Sequence, residues 1–178
     1  MIHISEVDKL HELLEKIFEK VEWQIDRFEG DFKNEEEARK LGKFLGVSKF
    51  LGNCLLNEGI AEMEDIIAGL GSPVKFDNGH AYLGVGSSAT GEAATDTGLL
   101  SVLSNGYKAM DANYPSRANQ TLTFKSTYGA NDANGDWREF TVANANGEPC
   151  KNLNRKTSNQ GTKTLGQTWI LTLTVTFA

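Results

Sequence analysis

Asp132-Ala133-Asn134-Gly135-Asp136 places side-chain oxygens at near-alternate positions, the way a calcium-binding loop begins. The rest of such a loop is missing. Trp137 stands where the sharp bend wants glycine, and Ala143 fills the twelfth position, which needs an acid. The run therefore reads as an Asn/Gly turn. Asp136 and Glu139 come closest to a pair of working carboxylates, but no His or Lys base stands beside them in sequence. Gly84-Val85-Gly86-Ser87-Ser88 resembles a piece of a nucleotide loop, without its third glycine, its lysine or a following βαβ unit. It reads as a place where another group approaches the backbone closely. No G-x-S-x-G, H-E-x-x-H, Walker A or C-x-x-C run is present. The expectation is no catalytic residue, no cofactor and no metal.

Cys54 and Cys150 are the only cysteines, which excludes a disulfide scaffold and a four-cysteine zinc site. His3, His11 and His80 offer little for a histidine metal centre. Lys151, Arg155, Lys156 and Lys163 make the second half locally basic, as a solvated strand and loop or as a docking patch for an acidic protein surface. Across all 178 residues the net charge is −6. Free nucleic acid is thus not an expected partner, because phosphate binding needs a basic surface. No run of 18 apolar residues exists, so no membrane-spanning helix is expected. Met1 to Glu6 lacks the basic and apolar regions of a secretory signal, so synthesis in a cytoplasm is expected.

The elements that would position these residues fall into two unlike halves. Residues 1–75 hold 10 Lys and Arg against 16 Asp and Glu, while residues 76–178 hold 8 of each. Gly71-Ser72-Pro73 punctuates the change. The spacing predicts an α+β chain, with a helical arm over 1–73 and an antiparallel β-domain over 74–178. Ser5 and Asp8 form a capping pattern, and Val7, Leu10, Leu14, Ile17, Val21 and Phe28 then make a heptad seam in a helix over about 6–29, ended by Gly30. That stripe is the candidate interface: it lies on its own domain, or it joins copies of the chain or a larger partner. Asn34 caps a second helix, over about 35–51, whose acidic start Glu35-Glu36-Glu37 suits the helix dipole. A third covers about 58–69, with Ile60, Met63, Ile66 and Ile67.

From Val74 the period changes to 2. Strands are predicted at 81–85, 121–128, 137–143 and 153–156, and a helical turn within 99–110. The clearest strand is 169–177, with Trp169, Leu171, Leu173, Val175 and Phe177 on one face and Ile170, Thr172, Thr174 and Thr176 on the other. Short strands between Asn, Gly and Asp turns predict an antiparallel sandwich or barrel.

Leu55-Leu56-Asn57-Glu58-Gly59, Tyr82-Leu83-Gly84-Val85-Gly86, Ala93-Ala94-Thr95-Asp96-Thr97-Gly98-Leu99, Tyr107-Lys108-Ala109-Met110-Asp111, Tyr114-Pro115, Phe124-Lys125-Ser126-Thr127-Tyr128-Gly129, Ala133-Asn134, Trp137-Arg138-Glu139-Phe140, Leu153-Asn154-Arg155, Gly161-Thr162-Lys163 and Trp169-Ile170-Leu171-Thr172-Leu173-Thr174-Val175 form a set. Over about residues 53–178 that set resembles structural proteins of tailed bacteriophages. The resemblance implies a non-enzymatic virion component with a β-sandwich or jelly-roll core. It favours a capsid decoration, or cement, protein on the outer shell, partnered by the major capsid protein and by its own copies as a homotrimer. A tail or fibre component that contacts a receptor through loops 86–98 and 129–136 is the second expectation. A free carbohydrate-binding module, stacking sugars on Tyr82, Trp137 and Trp169, is the third.

Overall fold

The computed structural model describes residues 18–147 and 149–177. Twelve strands and two helices follow one another along them. Strands β1 (Phe18–Glu29), β2 (Phe44–Leu51), β6 (Ser116–Ala118), β7 (Thr121–Tyr128) and β12 (Gln167–Phe177) form one sheet, in the order β2-β1-β12-β7-β6. Strands β3 (Cys54–Leu55), β4 (Tyr82–Gly86), β5 (Val102–Ala109), β9 (Glu139–Ala143) and β10 (Asn154–Thr157) form the other, in the order β3-β10-β9-β4-β5. A small ribbon pairs β8 (Gly135–Asp136) with β11 (Thr162–Lys163). All strand pairs are antiparallel. Helix α1 is Glu35–Lys40 and α2 is Asn57–Ala68.

The predicted β-domain strands form close to where they are expected, and β12 does so most fully. Trp169, Leu171, Leu173 and Val175 are buried, while Thr172, Thr174 and Thr176 face outward with partial exposure. The inner faces of the two sheets share one core. Trp23, Ile25, Phe124, Leu171 and Leu173 from the first meet Leu83, Val85, Phe140 and Val142 from the second. This is a β-sandwich, with side chains of both inner faces filling the space between the layers. Aromatic rings dominate its middle: Trp137 stands edge-on to Tyr128 at 4.9 Å and to Trp169 at 4.8 Å. All three indole N–H groups are satisfied, by Gly52 O, Ala133 O and Gln167 Oε1, so the core takes these large rings without stranding a donor.

The helical reading of the first part needs correction. Residues 18–29 are a strand, not the end of a helix over 6–29; the earlier portion, with Val7, Leu10, Leu14 and Ile17, lies outside the described residues. β1 pairs with β12 on one side and β2 on the other, so Trp23 lies opposite Leu173 and Phe50. Val21 and Phe28, two members of the proposed seam, point to opposite faces. Val21 enters the main core. Phe28 packs outside the sheet against Ala38 of α1 and Ile170. A heptad reading needs both on one stripe; a period of 2 separates residues seven apart.

The second helix is also shorter than expected. Asn34 does cap it, accepting from the Glu36 and Glu37 N–H groups at 2.8 and 3.3 Å, with Glu35–Glu37 in its exposed first turn. It stops at Lys40, and Phe44–Leu51 is an edge strand. Gly42 at φ +66° closes the turn between them. The third helix appears as expected, ended by left-handed Gly69. Residues 102–109, predicted to hold a helical turn, form β5. The composition change near position 73 does not separate the sheets, since β1 and β2 join β12, and β3 joins β10.

Candidate functional site

The most organised polar site lies under the long connection between β4 and β5, residues 87–101. A connection of this length without its own secondary structure is uncommon and often functional. It is pinned from below by Glu139 on β9 and Arg155 on β10, both fully buried. Glu139 Oε2 accepts from Arg155 Nε and Nη2, each at 2.9 Å. The same carboxylate accepts the backbone N–H groups of Leu100 (2.9 Å), Ser101 (2.7 Å) and Ser88 (3.2 Å). Arg155 also donates to Asp96 Oδ2 at 3.0 Å and to the Thr90 and Gly91 carbonyls. One ion pair therefore ties both ends and the middle of the loop to two central strands. Charge-assisted bonds of this kind are the strong ones, and burial is tolerable only because each partner's capacity is used.

Gly86 shows why glycine stands where β4 enters the loop. A Cβ there would meet Glu139 Oε1, and the Ser101 carbonyl at 2.5 Å. The close approach read from Gly84-Val85-Gly86 is present, though on a strand, not in a turn. At the loop's outer rim Lys156 Nζ meets Glu92 Oε1 at 2.8 Å. Burial opposes the charge of Glu92, but hydrogen bonds from Lys156 and Thr157 outweigh it and lower its pKa to about 2.

A second polar cluster organises loop 129–136. Asp132 Oδ2 accepts from Lys108 Nζ at 2.6 Å and from the Gly129 N–H at 3.0 Å. Burial would raise the Asp132 pKa, and these bonds bring it below the usual range instead. Lys163, 1 % exposed, donates to the Gly129 carbonyl at 2.8 Å and to Asn134 Oδ1 at 3.0 Å. Burial lowers its pKa to about 8. Asp136 accepts from Arg138 at 2.9 Å and from Thr162 at 2.5 Å. The oxygens of the calcium-like run are thus turned toward protein donors, as a structural turn requires.

Other sequence candidates are rearranged by the fold. Asp136 and Glu139 do not face each other as a pair, because Glu139 is given to Arg155. The basic residues do not form one exposed patch, since Arg155 and Lys163 are buried and Lys156 is paired. Trp137 and Trp169 are core residues, leaving only Tyr82 of the three proposed sugar-stacking rings partly exposed. Of the candidate interface, Val21 and Phe28 are buried within this chain.

Several large apolar residues face solvent, among them Ile67, Leu70 and Leu165, and one exposed apolar row was missed by the sequence reading. Edge strand β2 alternates between partial burial and exposure along its whole length. Leu45, Val47 and Leu51 point outward at 47 %, 46 % and 61 % exposure, with Lys49 between the last two, and Leu41 precedes them at 61 %. The alternation Phe44-Leu45-Gly46-Val47-Ser48-Lys49-Phe50-Leu51 was the available signal, but both of its faces carry apolar residues, which blurs a period of 2. Compared with known proteins, the chain matches no family model, no curated protein and no solved structure.

Proposed function

We propose that this chain is a non-enzymatic virion structural protein, a capsid decoration protein that rests on an outer shell and braces neighbouring subunits. The observation that carries the reading is the outward face of edge strand β2, where Leu45, Val47 and Leu51 are exposed beside Leu41 and only Lys49 interrupts the apolar row. Exposed apolar edges invite pairing and are normally blunted or covered. A decoration protein covers such an edge against the major capsid protein or a second copy, as in a homotrimer. Many modest contacts repeated by symmetry then stabilise the shell by mass action. The phage-like motifs named above support the reading. Several lie at core or loop-pinning positions: Tyr128, Trp137, Glu139 and Arg155.

A second reading, a tail or fibre component, is favoured by loop 87–101. Arg155 and Glu139 hold that loop in one shape, and a preorganised loop binds without paying for its own ordering. Mass spectrometry of purified particles, with copy counting, separates the two. Hundreds of copies on the head support decoration, and heads lacking the chain should then burst at lower temperature. A few to tens of copies on the tail support the second reading. Absence from the particle overturns both.

A further inference from the structure

Lys163 is an unusual residue to find buried, against loop 129–136 on the small ribbon beside the sandwich. It lies on β11, directly across the two-strand ribbon from Gly135, the residue after Asn134. Its side chain is 1 % exposed, and a lysine buried to this degree is ordinarily paired with an acid. Among the described residues no carboxylate lies within salt-bridge distance of it; its amine meets two carbonyl oxygens instead, Gly129 O at 2.8 Å and Asn134 Oδ1 at 3.0 Å. The Asn134 carboxamide is oriented from its other end, where Nδ2 donates to the Ala130 carbonyl at 3.0 Å. A buried amine and an amide carbonyl are thus held within reach of each other on two paired segments of a rigid fold.

We propose that Lys163 and Asn134 are joined by an intramolecular isopeptide bond that the protein forms by itself. The Nζ lone pair attacks Asn134 Cγ once the amine has given up its proton. The new Nζ–Cγ bond forms and the Cγ–Nδ2 bond breaks. As that bond breaks, the attacking nitrogen passes a second proton to Nδ2, which leaves as ammonia, and the proton first released by lysine turns that ammonia into ammonium. Nothing is oxidised or reduced, and no co-reactant is consumed. Two features favour the step. Burial lowers the pKa of Lys163 to about 8, so an appreciable share of the amine is neutral near neutral pH. Fixed proximity replaces a bimolecular encounter, which in well-oriented systems is worth a large effective concentration. In the structure the amine points at Oδ1 in hydrogen-bond geometry, so attack requires a small shift of Nζ over the face of the carboxamide. The product braces loop 129–136 to the segment before β12 by a covalent bond, whatever surface the protein occupies.

Intact-mass measurement of the purified full chain tests this. Because attack by the amine expels ammonia, the expected mass is lower than the sequence mass by about 17 Da. Tryptic digestion should yield one cross-linked species joining 126–138 to 157–178, with Lys163 uncleaved. Asn134-Gly135 can also lose ammonia by closing on its own backbone, so a mass loss alone does not decide. Lys163→Arg keeps the positive charge and removes the nucleophile. This variant should show no cross-linked species. A wild-type chain at full sequence mass overturns the proposal. So does a wild-type mass loss that comes without a cross-linked peptide. The wild-type peptide decides the matter even if the variant does not fold.

Discussion

Replacing Arg155 with Met keeps most of the buried volume and removes every charge and donor. The structure sets the size of the effect. Glu139 loses two of the five donations it receives, Asp96 loses one, the Gly91 carbonyl loses the one from Arg155, and the Thr90 carbonyl keeps only the Thr157 hydroxyl. A net value of about 1.5–3 kcal/mol for each hydrogen bond to a charged group would overshoot if summed, because the bonds share atoms and are not additive. Breaking a buried pair from one side costs about 3–5 kcal/mol, and that is the expected destabilisation. In a domain of this size it corresponds to a melting temperature lower by roughly 6–20 °C. Urea unfolding followed by tryptophan fluorescence measures it, since Trp23, Trp137 and Trp169 are all buried in the core. The double variant Arg155→Met with Glu139→Gln removes the stranded carboxylate and keeps an acceptor for the loop N–H groups. It should be more stable than the sum of the two single losses by at least about 1 kcal/mol. Loop 87–101 should also become the first site of proteolysis in Arg155→Met. A loss of less than about 0.5 kcal/mol in Arg155→Met, the range of an ordinary surface change, would refute the reasoning. So would simple additivity in the double variant.

Three further outcomes are expected. Gly86→Ala pushes a methyl into Glu139 Oε1 and the Ser101 carbonyl, so thermal melting should show a loss of about 1–3 kcal/mol, the usual cost of overpacking. Phe28→Ala should cost about 3–5 kcal/mol and loosen α1 from the sheet, read by unfolding and by amide exchange at Ala38; a near-neutral result would argue that Phe28 is not packed in this chain. Glu92 has its pKa lowered from 4.5 to about 2 in the folded protein. Its contribution is present above pH 4.5 and is lost as the pH falls from there toward 2. A stability–pH curve for Glu92→Gln should therefore run flatter than wild type over that interval, and an unchanged slope would count against the Lys156–Glu92 pair.

Much of the β-sandwich was legible from the chain alone. The strand at 169–177 carries its buried face as a strict alternation, and a one-residue slip would turn every core side chain outward. Asn34 before three glutamates marked a helix start, because capping depends on neighbouring residues only. The candidate site was less legible. Glu139 and Arg155 are 16 positions apart, and the loop they anchor starts about 50 residues before Glu139. No local pattern joins such residues; strand order does.

The first strand shows where local reasoning failed and why. Val21, Trp23 and Ile25 alternate with Glu22, Gln24 and Asp26, which is a strand pattern. The same residues sit in a Leu-, Glu- and Lys-rich context with apolar steps of 3 and 4, which is a helix pattern. A seam that runs from Val21 to Phe28 and passes over Trp23 chose the helix. In the folded chain the choice belongs to β12 and β2, whose backbones take up the hydrogen bonds of β1 on both sides, and to a core that needs the Trp23 indole against Phe50 and Phe140. Sequence by itself determined which residues prefer burial, where turns and caps fall, and that the second half pairs as antiparallel strands. Tertiary structure alone decided that 18–29 extends and that Arg155 and Lys163 turn inward to Glu139 and Asn134. It also decided that the exposed apolar face belongs to β2, since propensity is worth tenths of a kcal/mol per residue and a completed sheet and core outweigh it.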